Sequence, residues 1–465
     1  MTTRTDAAAV LGRAAASTRP GRLPEKVRDH TALLFIDVLA SMAVGSGRHA
    51  HERTRELFLS APGGTGPATV LGRAEGASAA EAIVLNATLP TVYQLDEGHR
   101  VSRGHPAIHI VPTALATAEA GGAGVPQLLA AVAAGYEVAA RVGMALGGTV
   151  PEIHPHGNWG TIGAAVAAAH LMADGEEEAL VNAIDIAAGL VGYHDRRPAR
   201  EGAGTHHLWA AVGAHTGFLA ATAAVAGMTG VPATLETAVL PRAGAAPQPD
   251  VLHAGRTADG EWARWTVMEN YVKFWPACAH THTAIGATLE LLRKENVSAG
   301  DIESIDITTF RAAAVLDDPA PRTELAARFS IPAVVAAAIL DQSFGLESIS
   351  EARLKDPAWR ALAGRVSVQH DPVHDEGYPD RGRPLVMRVR LGDGRVLRHH
   401  ALRSHGDPES PASADEVQGK ARRLFAHRFG SAAAARIMAE ATGFAEATDL
   451  TGLVEALRAA ARTGR

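Results

Sequence analysis

Clusters of histidine are the feature of this sequence with the clearest chemical content. The chain has 22 histidines and a single cysteine. Histidine has an unperturbed pKa close to working pH, so it serves in proton transfer, anion binding or metal ligation. The informative histidines lie in four short clusters punctuated by glycine and proline, at residues 95–106, 154–157, 205–207 and 273–282. Four such clusters in alanine-rich sequence indicate one polar site assembled from distant segments.

The segments that must position these clusters are mostly helical. Apolar residues recur at helical spacing from about residue 26 to residue 230, and alanine is the best helix former. After about residue 265, alternating apolar and polar residues are typical of strands, with Gly392-Asp393-Gly394 as a hairpin turn. The predicted helices are 31–44, 79–89, 111–119, 127–146, 160–172, 177–188, 284–294 and 332–340, and the predicted strands are 302–310, 365–370, 384–391 and 396–400.

This pattern predicts a mainly α fold, in which a large all-helical domain carries an inserted, smaller α+β lid domain. A chain of 465 residues is long enough for two domains. We place the first part of the helical domain at residues 1–265 and the lid domain at residues 266–403. A polar, proline-bearing link at 404–413 then leads into the C-terminal part of the helical domain, residues 404–465.

Composition excludes several classes of function. The formal net charge of −6 gives no basic footprint, so we expect no nucleic-acid partner. One cysteine excludes a disulfide framework. The apolar stretches are short or interrupted by His or Gly, so we expect no membrane span. The segment Met1–Asp6 lacks the apolar region of a signal peptide, which predicts a cytoplasmic location.

The order and spacing of several motifs resemble the MmgE/PrpD family, which includes 2-methylcitrate dehydratase, cis-aconitate decarboxylase and iminodisuccinate epimerase. The resemblance covers nearly the whole chain. It rests on LLFIDVLASMAVG at 33–45, LDEGHR at 95–100, GHP at 104–106, VPTALA at 111–116, GYEV at 135–138, HPHGNWG at 154–160, GMTG at 227–230 and FSIP at 329–332. It implies an active site between the helical and lid domains, a homodimer, and catalysis without a metal or an organic cofactor.

The first cluster matches the acidic pair and the following histidines of the family. The resemblance implies catalytic roles for His105, Asp96 and His99, and a substrate-binding role for Glu97. Removing a proton from carbon beside a carboxylate needs a base held in place, and a carboxylate can fix the tautomer of that base. Many relatives have Asp where this chain has Glu97. The alternative interpretation is a helix terminus capped by Asp96, with His99 in solvent.

The second and third clusters are candidates for substrate contacts. His154, beside His156, is predicted at the start of a helix, where exposed amides attract anions; the alternative is simple helix capping. His206 stands where relatives carry Lys or Arg, and it is cationic only if its neighbours raise its pKa. This departure from the family indicates an altered substrate preference or proton transfer by His206. The alternative interpretation is a harmless change at the surface.

The fourth cluster runs from Lys273 to His282 and matches a Lys-x-x-Pro-x-Cys run followed by Thr-His in the family. We expect Lys273 and His280 to bind substrate and His282 to act in catalysis. The alternative interpretation is a buried structural turn in which the histidine is hydrogen-bonded. The pairs His154/His156 and His280/His282 with Asp96 offer metal ligands, but the spacing matches no established zinc motif, so we expect no metal.

Together these features predict a cofactor-independent lyase that acts on a small carboxylic acid. His105, oriented by Asp96, removes the proton, His154 or His282 protonates the departing hydroxyl, and Lys273 with His206 holds carboxylates. Dehydration leads only because it is the commonest named activity of the family. Epimerisation, decarboxylation, a biosynthetic tailoring reaction on a larger substrate and a non-catalytic homologue remain alternatives.

Overall fold

A computed structural model of the protein describes residues 6–59 and 66–463. Most of the stretch Met1–Asp6, on which the signal-peptide prediction rests, lies outside the described residues. The α-helices, in chain order, are α1 Ala7–Ser17, α2 Glu25–Gly45, α3 His49–Phe58, α4 Ala79–Ala87, α5 Ala107–Gly121, α6 Val125–Ala145, α7 Trp159–Met172, α8 Glu177–Leu190, α9 Arg197–Glu201, α10 Thr205–Val225, α11 Leu240–Ala243, α12 Ala279–Glu295, α13 Arg311–Ala314, α14 Glu324–Arg328, α15 Ile331–Asp341, α16 Glu351–Lys355, α17 Pro357–Ala363, α18 Ala414–Phe429, α19 Ser431–Ala441 and α20 Thr451–Thr463.

The strands are few and short outside one sheet. They are β1 Ala68–Thr69, β2 Gly76–Ala77, β3 Gly98–His99, β4 Ile153–His154, β5 His194–Asp195, β6 Asn270–Tyr271, β7 Ile302–Thr309, β8 Val366–His370, β9 Leu385–Leu391 and β10 Val396–Ala401. The fold is mainly α, with 59% of residues in helices, so the predicted mainly α class is confirmed, while the inserted lid domain stays a prediction.

Alanine-rich helices pack closely in the larger hydrophobic core. Helices α5, α6 and α7 are buried along most of their length, and α7 contacts α5, α6, α8 and α10. Small side chains let the helix backbones approach, and Gly163 of α7 faces the carbonyl oxygen of Gly135 of α6 with no room for a Cβ atom. This core also takes in apolar residues of α18, α19 and α20, so the two ends of the chain meet in one core.

A second core forms between residues 277 and 391, around a four-stranded sheet of order β10-β9-β7-β8. Strands β7 and β8 are parallel, and β9 is antiparallel to both β7 and β10. The turn after Leu391 joins β9 to β10, as predicted for Gly392-Asp393-Gly394. Helices α12 and α15 pack against each other and on the sheet. The domain boundaries at residues 265 and 403 stay a prediction.

Two of the described helices, α6 and α10, are long and apolar enough to span a membrane by length and composition alone. In α6, 94% of the apolar window is buried inside the protein, and in α10 half of it is. Burial in the protein core accounts for the hydropathy of α6, since a helix that is apolar on all sides suits a core as well as a bilayer.

Candidate functional site

Three of the four histidine clusters converge on one buried place. The ring of His156 lies 4.4 Å from that of His154, 5.1 Å from that of His206 and 5.1 Å from that of His105, measured between centroids. His154, His156 and His206 are buried, whereas the side chain of His105 is 15% exposed. Trp209 of α10 closes one wall, with its ring 4.8 Å from that of His154.

The residues just before β3 fix the position of the proton on the ring of His105. Nδ1 of His105 faces the carbonyl oxygen of Glu97, and Oδ2 of Asp96 lies 2.8 Å from the same nitrogen. A carbonyl and a carboxylate oxygen are acceptors without a proton of their own, so the proton of the neutral ring sits on Nδ1. Nε2 therefore carries a lone pair, as a general base requires.

Asp96 is a buried carboxylate between two basic groups. Its Oδ1 lies 3.3 Å from Nζ of Lys273, and both side chains are fully buried. Burial alone would raise the pKa of Asp96, but Lys273 and His105 together hold it below its ordinary value. Asp96 is thus an anion at neutral pH and is available to stabilise a positive charge on His105.

The side chain of Glu97 supports the loop. Its Oε1 accepts a hydrogen bond from the backbone N–H of Ala107 at 2.7 Å, and its Oε2 accepts one from the Tyr136 hydroxyl at 3.1 Å. Ala107 begins α5, and the preceding Pro106 has no side-chain acceptor, so Glu97 caps this helix. Burial raises the pKa of Glu97 to about 8. The substrate-binding role expected for Glu97 stays untested, and the contacts observed are structural.

His99 also contacts the supporting structure. Its Nδ1 accepts a hydrogen bond from the backbone N–H of Ser102 at 3.1 Å and lies 2.8 Å from the Ser102 hydroxyl, which donates to the carbonyl oxygen of Ala140. Its ring packs edge-on against Tyr136. The ring is fully buried, unlike the solvated ring of the alternative interpretation, and burial lowers its pKa to about 3. His99 therefore stays neutral at working pH.

The second cluster differs from the prediction in its local structure. The sequence predicts His154 at the start of a helix, but His154 lies in the two-residue strand β4, and α7 begins only at Trp159. Gly157 lies between them with a φ of +75°, and its left-handed conformation turns the chain into the helix. His154 is therefore no helix-terminus anion site, although it does reach the histidine cluster.

His206 is neutral, contrary to the cationic role considered for it. Burial lowers its pKa to about 3, despite the opposing effect of Asp96. The Gln94 side-chain amide, which also donates to the carbonyl oxygen of Thr91, lies 3.0 Å from Nε2 of His206 and donates to it. The proton of His206 therefore sits on Nδ1, which has no hydrogen-bond partner among the described residues. His206 offers an N–H donor in place of the cation of Lys or Arg.

The residues of the fourth cluster differ in their positions: Lys273 contacts the site, whereas His282 contacts the surrounding structure. Lys273 forms an ion pair with Asp96. Burial lowers the pKa of His280 well below its ordinary value, and nearby positive groups add to this effect; these are Arg383, Arg196, His105 and Lys273. His282 is placed differently: its Nε2 donates to the carbonyl oxygen of Ala277 at 3.2 Å, and its ring packs edge-on against Trp275. The contacts of His282 match the structural turn that was the alternative interpretation.

One histidine at the site, His109, was not among the predicted site residues. His109 lies one helical turn after His105; its Nδ1 faces the carbonyl oxygen of His105, and its Nε2 accepts the N–H of Gly157 at 2.9 Å. This residue ties the first cluster to the second, and its four-residue spacing from His105 is the signal that could have found it. Arg383 lies 4.3 Å over the ring of Tyr271 and is bound to Asp407 at 2.8 Å.

Within the part of the chain that the structure describes, two groups of side chains have the separations of a metal site. One is His154, His156 and His206, and the other is Asp96, His105 and His156; within each group the ligand atoms lie within 4.8 Å of one another. However, Nδ1 of His154 accepts the N–H of His156 at 3.3 Å and Nε2 of His206 accepts from Gln94, so the free nitrogens of His154 and His206 carry protons. A metal ion needs these nitrogens unprotonated, so in the first group the hydrogen bonds fit N–H donation to an anion better than ligation. In the second group, Oδ2 of Asp96 already faces Nδ1 of His105 at 2.8 Å.

Comparison with known families decides the relationship of the chain. The model of the MmgE/PrpD N-terminal domain matches residues 9–240, and that of the MmgE/PrpD C-terminal domain matches residues 275–443. The chain belongs to the MmgE/PrpD family. Comparison with individual curated proteins finds no match. Membership in the MmgE/PrpD family supports a lyase-like enzyme in general terms and does not by itself fix the reaction.

Proposed function

We propose that this MmgE/PrpD protein is a cofactor-independent lyase that removes a proton next to a carboxylate of a small carboxylic acid, with loss of water. The observation that carries the proposal is the state of His105. Its Nδ1 is turned toward Glu97 and Asp96, and its Nε2 is left as the base. His105 also has the most exposed ring of the converging histidines, so it is the one that a substrate can approach.

Proton transfer to His105 creates an imidazolium beside an existing carboxylate. The Nδ1 proton is then shared with Oδ2 of Asp96 at 2.8 Å, and this charge-assisted contact stabilises the product of the transfer. Lys273 keeps Asp96 ionised and holds its other oxygen. Asp96 therefore acts as an orienting and stabilising group, and His105 is the group that moves the proton.

Substrate carboxylates need positive charge or N–H donors in a buried place. Lys273 and Arg383 are buried cations near the cluster, and His206 offers an unpaired N–H at Nδ1. His156 has no hydrogen-bond partner for either ring nitrogen among the described residues. Unpaired buried donors are costly, so a bound anion that accepts from them would be favoured.

His154 is the better candidate for protonating the departing hydroxyl. Its ring belongs to the converging cluster, whereas the Nε2 proton of His282 is directed at a backbone carbonyl. Burial, with His206 and Arg196, keeps the pKa of His154 well below its ordinary value in the free protein. A bound polycarboxylate would raise that pKa by adding negative charge, and His154 would then be able to carry the proton. The proton lost from carbon passes to His105, and the hydroxyl leaves with the proton of His154 as water.

The convergence of the histidines counts against a non-catalytic homologue, which has no need of an oriented base. Epimerisation and decarboxylation share the carbanion-like intermediate with dehydration and are distinguished by the products. A tailoring reaction on a larger, less anionic acid is distinguished by the choice of substrate.

Proton NMR of the EDTA-treated protein in deuterated water tests the proposal. Citrate, 2-methylcitrate, cis-aconitate and iminodisuccinate are incubated in turn with the enzyme. New alkene signals support the hydro-lyase. Loss of a carboxylate identifies a decarboxylase, and deuterium in otherwise unchanged substrate identifies an epimerase; either would replace the dehydration step. Absence of any change with folded protein would contradict the proposal for acids of this class.

A further inference from the structure

A second buried ion pair lies behind the loop that carries Asp96. Nζ of Lys420 in α18 lies 2.8 Å from Oδ1 of Asp37 in α2, and the two side chains are 3% and 1% exposed. The same ammonium donates to the carbonyl oxygen of Leu95 at 2.9 Å. This carbonyl belongs to the peptide group that leads into Asp96, so Lys420 holds the backbone at the start of the catalytic loop.

The loop is held at three successive residues. The hydroxyl of Ser41 shares its proton between the carbonyl oxygen of Asp37 at 3.0 Å and that of Leu95 at 3.2 Å, and so adds to the contact made by Lys420. The carboxylate of Asp96 then contacts Lys273 and His105, and the carboxyl of Glu97 caps α5. Gln94, just before the loop, has a φ of +55°, a conformation that persists only where the surroundings impose it.

A buried ion pair by itself adds little to the free energy of unfolding. Taking two charges out of water costs much of what their attraction returns, and apolar pairs of similar size often serve stability as well. The pair between Lys420 and Asp37 lies within electrostatic range of Asp96 and Lys273. Burial raises the pKa of Asp37 and lowers that of Lys420, while their mutual contact opposes both shifts. The amino group of Lys420 is the part of this pair that reaches the backbone of the loop.

We propose that Lys420 is a positioning residue for proton transfer, which acts through the Leu95 carbonyl to hold Asp96 and so the ring of His105. Its kinetic consequence rests on the proposed function. A shift of about 1 Å in a catalytic group can lower turnover by roughly 100-fold. Lys420 itself lies on the side of the loop that faces α2 and touches neither His105 nor the histidine cluster through any hydrogen bond found among the described residues.

Kinetics of three variants test this role. Lys420→Met is expected to lower kcat by about 10- to 100-fold with little change in KM, because the base is misplaced while the substrate-binding cations remain. Asp37→Asn/Lys420→Met removes both charges and is expected to stay as low as the single variant. Leu424→Ala, in the core one turn further along α18, is the control and is expected to lower Tm without lowering kcat. Recovery of kcat in the double variant, or an equal loss in Leu424→Ala, would overturn the positioning role.

A second readout does not depend on turnover. The Nδ1 proton of His105 is hydrogen-bonded, so it should give a downfield NMR signal that is assigned by its loss in His105→Ala. Lys420→Met is expected to shift or broaden this signal, and Leu424→Ala is not. Should the wild type be inert toward the acids, the proposed function fails and the signal still tests Lys420. An active wild type whose kcat and signal are both unchanged in Lys420→Met would overturn this inference alone.

If Lys420→Met does not fold, Ser41→Ala removes the other donor to the Leu95 carbonyl. A loss of about 2- to 5-fold in kcat is expected, in line with the loss of one buried hydrogen bond. An unchanged kcat and an unchanged His105 signal in this variant would contradict the role of the carbonyl contact.

Discussion

At the scale of single residues, the site contains two kinds of polar group: a buried ion pair and a set of neutral histidines. Asp96 and Lys273 form a buried ion pair, while burial lowers the pKa of His206 to about 3 and that of His109 to about 4. Most of the clustered histidines therefore work as hydrogen-bonding groups at neutral pH. His105, between the ion pair and the neutral rings, is the histidine placed to change its protonation during a reaction.

Glu97→Gln should remove a pH dependence of stability. The folded protein holds the proton of Glu97 up to about pH 8, whereas the unfolded chain loses it above about pH 4.5. The folded state therefore binds more protons between these values, and the wild type loses stability relative to the variant as the pH rises from 5 to 8. Glutamine can still accept from Ala107, so the helix cap is kept.

Urea unfolding of both proteins at several pH values measures this difference. The buried histidines, whose pKa values are lowered, give the opposite slope below about pH 6.5, so the comparison is made between variant and wild type at each pH. Parallel stability curves for the two proteins would contradict the raised pKa of Glu97.

The sequence could predict which residues meet but not how each is oriented. Asp96, His105, His154, His156, His206 and Lys273 were named from their clusters, and the structure brings them together. Which oxygen of Glu97 faces the N–H of Ala107, and which nitrogen of His206 faces Gln94, depends on tertiary contacts that spacing does not encode. The support role of Glu97 and the neutrality of His206 follow only from those contacts.

At the scale of elements, the site is built by the turns that precede α5 and α7. Gly157 links β4 to α7 with a φ of +75°, and an added Cβ would lie 2.6 Å from Nε2 of His194 and 2.8 Å from the carbonyl oxygen of Trp209. The turn that presents His154 and His156 therefore requires glycine for both its conformation and its packing.

Gly157→Ala should lower kcat by more than the strain of the left-handed backbone conformation alone would. The added methyl group pushes the turn away from His194 and Trp209, so we expect at least about a tenfold loss of kcat. Gly122→Ala is the matched control, because Gly122 has a similar φ of +70° but nothing within 4 Å of the added atom. It should cost only about 1 kcal/mol of unfolding free energy. Equal kcat in the two variants would contradict the importance of the turn.

Long periodic elements were predictable, and short ones were not. The strands from Ile302 to Ala401 and helices such as α6 and α7 agree with the predicted segments to within a few residues, because burial of one face imposes a clear period. The sequence pattern does not predict helix α1, and it predicts the start of a helix where the two-residue strand β4 lies. Two-residue strands arise from the pairing of distant segments, here β4 with β5, which leaves no periodic signal.

At the scale of the whole molecule, α10 has an apolar face that nothing in the described chain covers fully. Leu208, Val212 and Leu219 are 46%, 51% and 54% exposed. With His215 they follow the alternating four- and three-residue spacing of a helix–helix seam. The opposite face of the helix carries His206 and Trp209 into the site. The family resemblance implies a homodimer, and we propose that a second copy of the chain covers this seam.

Light scattering with size-exclusion chromatography tests the homodimer. The wild type is expected to have the mass of two chains, and Val212→Glu/Leu219→Glu that of one, because two buried glutamates oppose association. Leu57→Glu, at a residue 71% exposed on α3, is the control and should stay dimeric. A monomeric wild type, or a dimeric double variant, would contradict this interface.

The central claim is that His105 is the base of a proton-transferring lyase, and solvent exchange measures it most directly. The acid on which the wild type acts is incubated in deuterated water with wild type, His105→Ala and His109→Ala, and the rates of carbon–hydrogen exchange and of product formation are followed by proton NMR. Loss of the base should slow both rates by at least about 100-fold in His105→Ala with the fold intact. The loss should be smaller in His109→Ala, which only links His105 to Gly157. Near-normal exchange by folded His105→Ala would contradict the account.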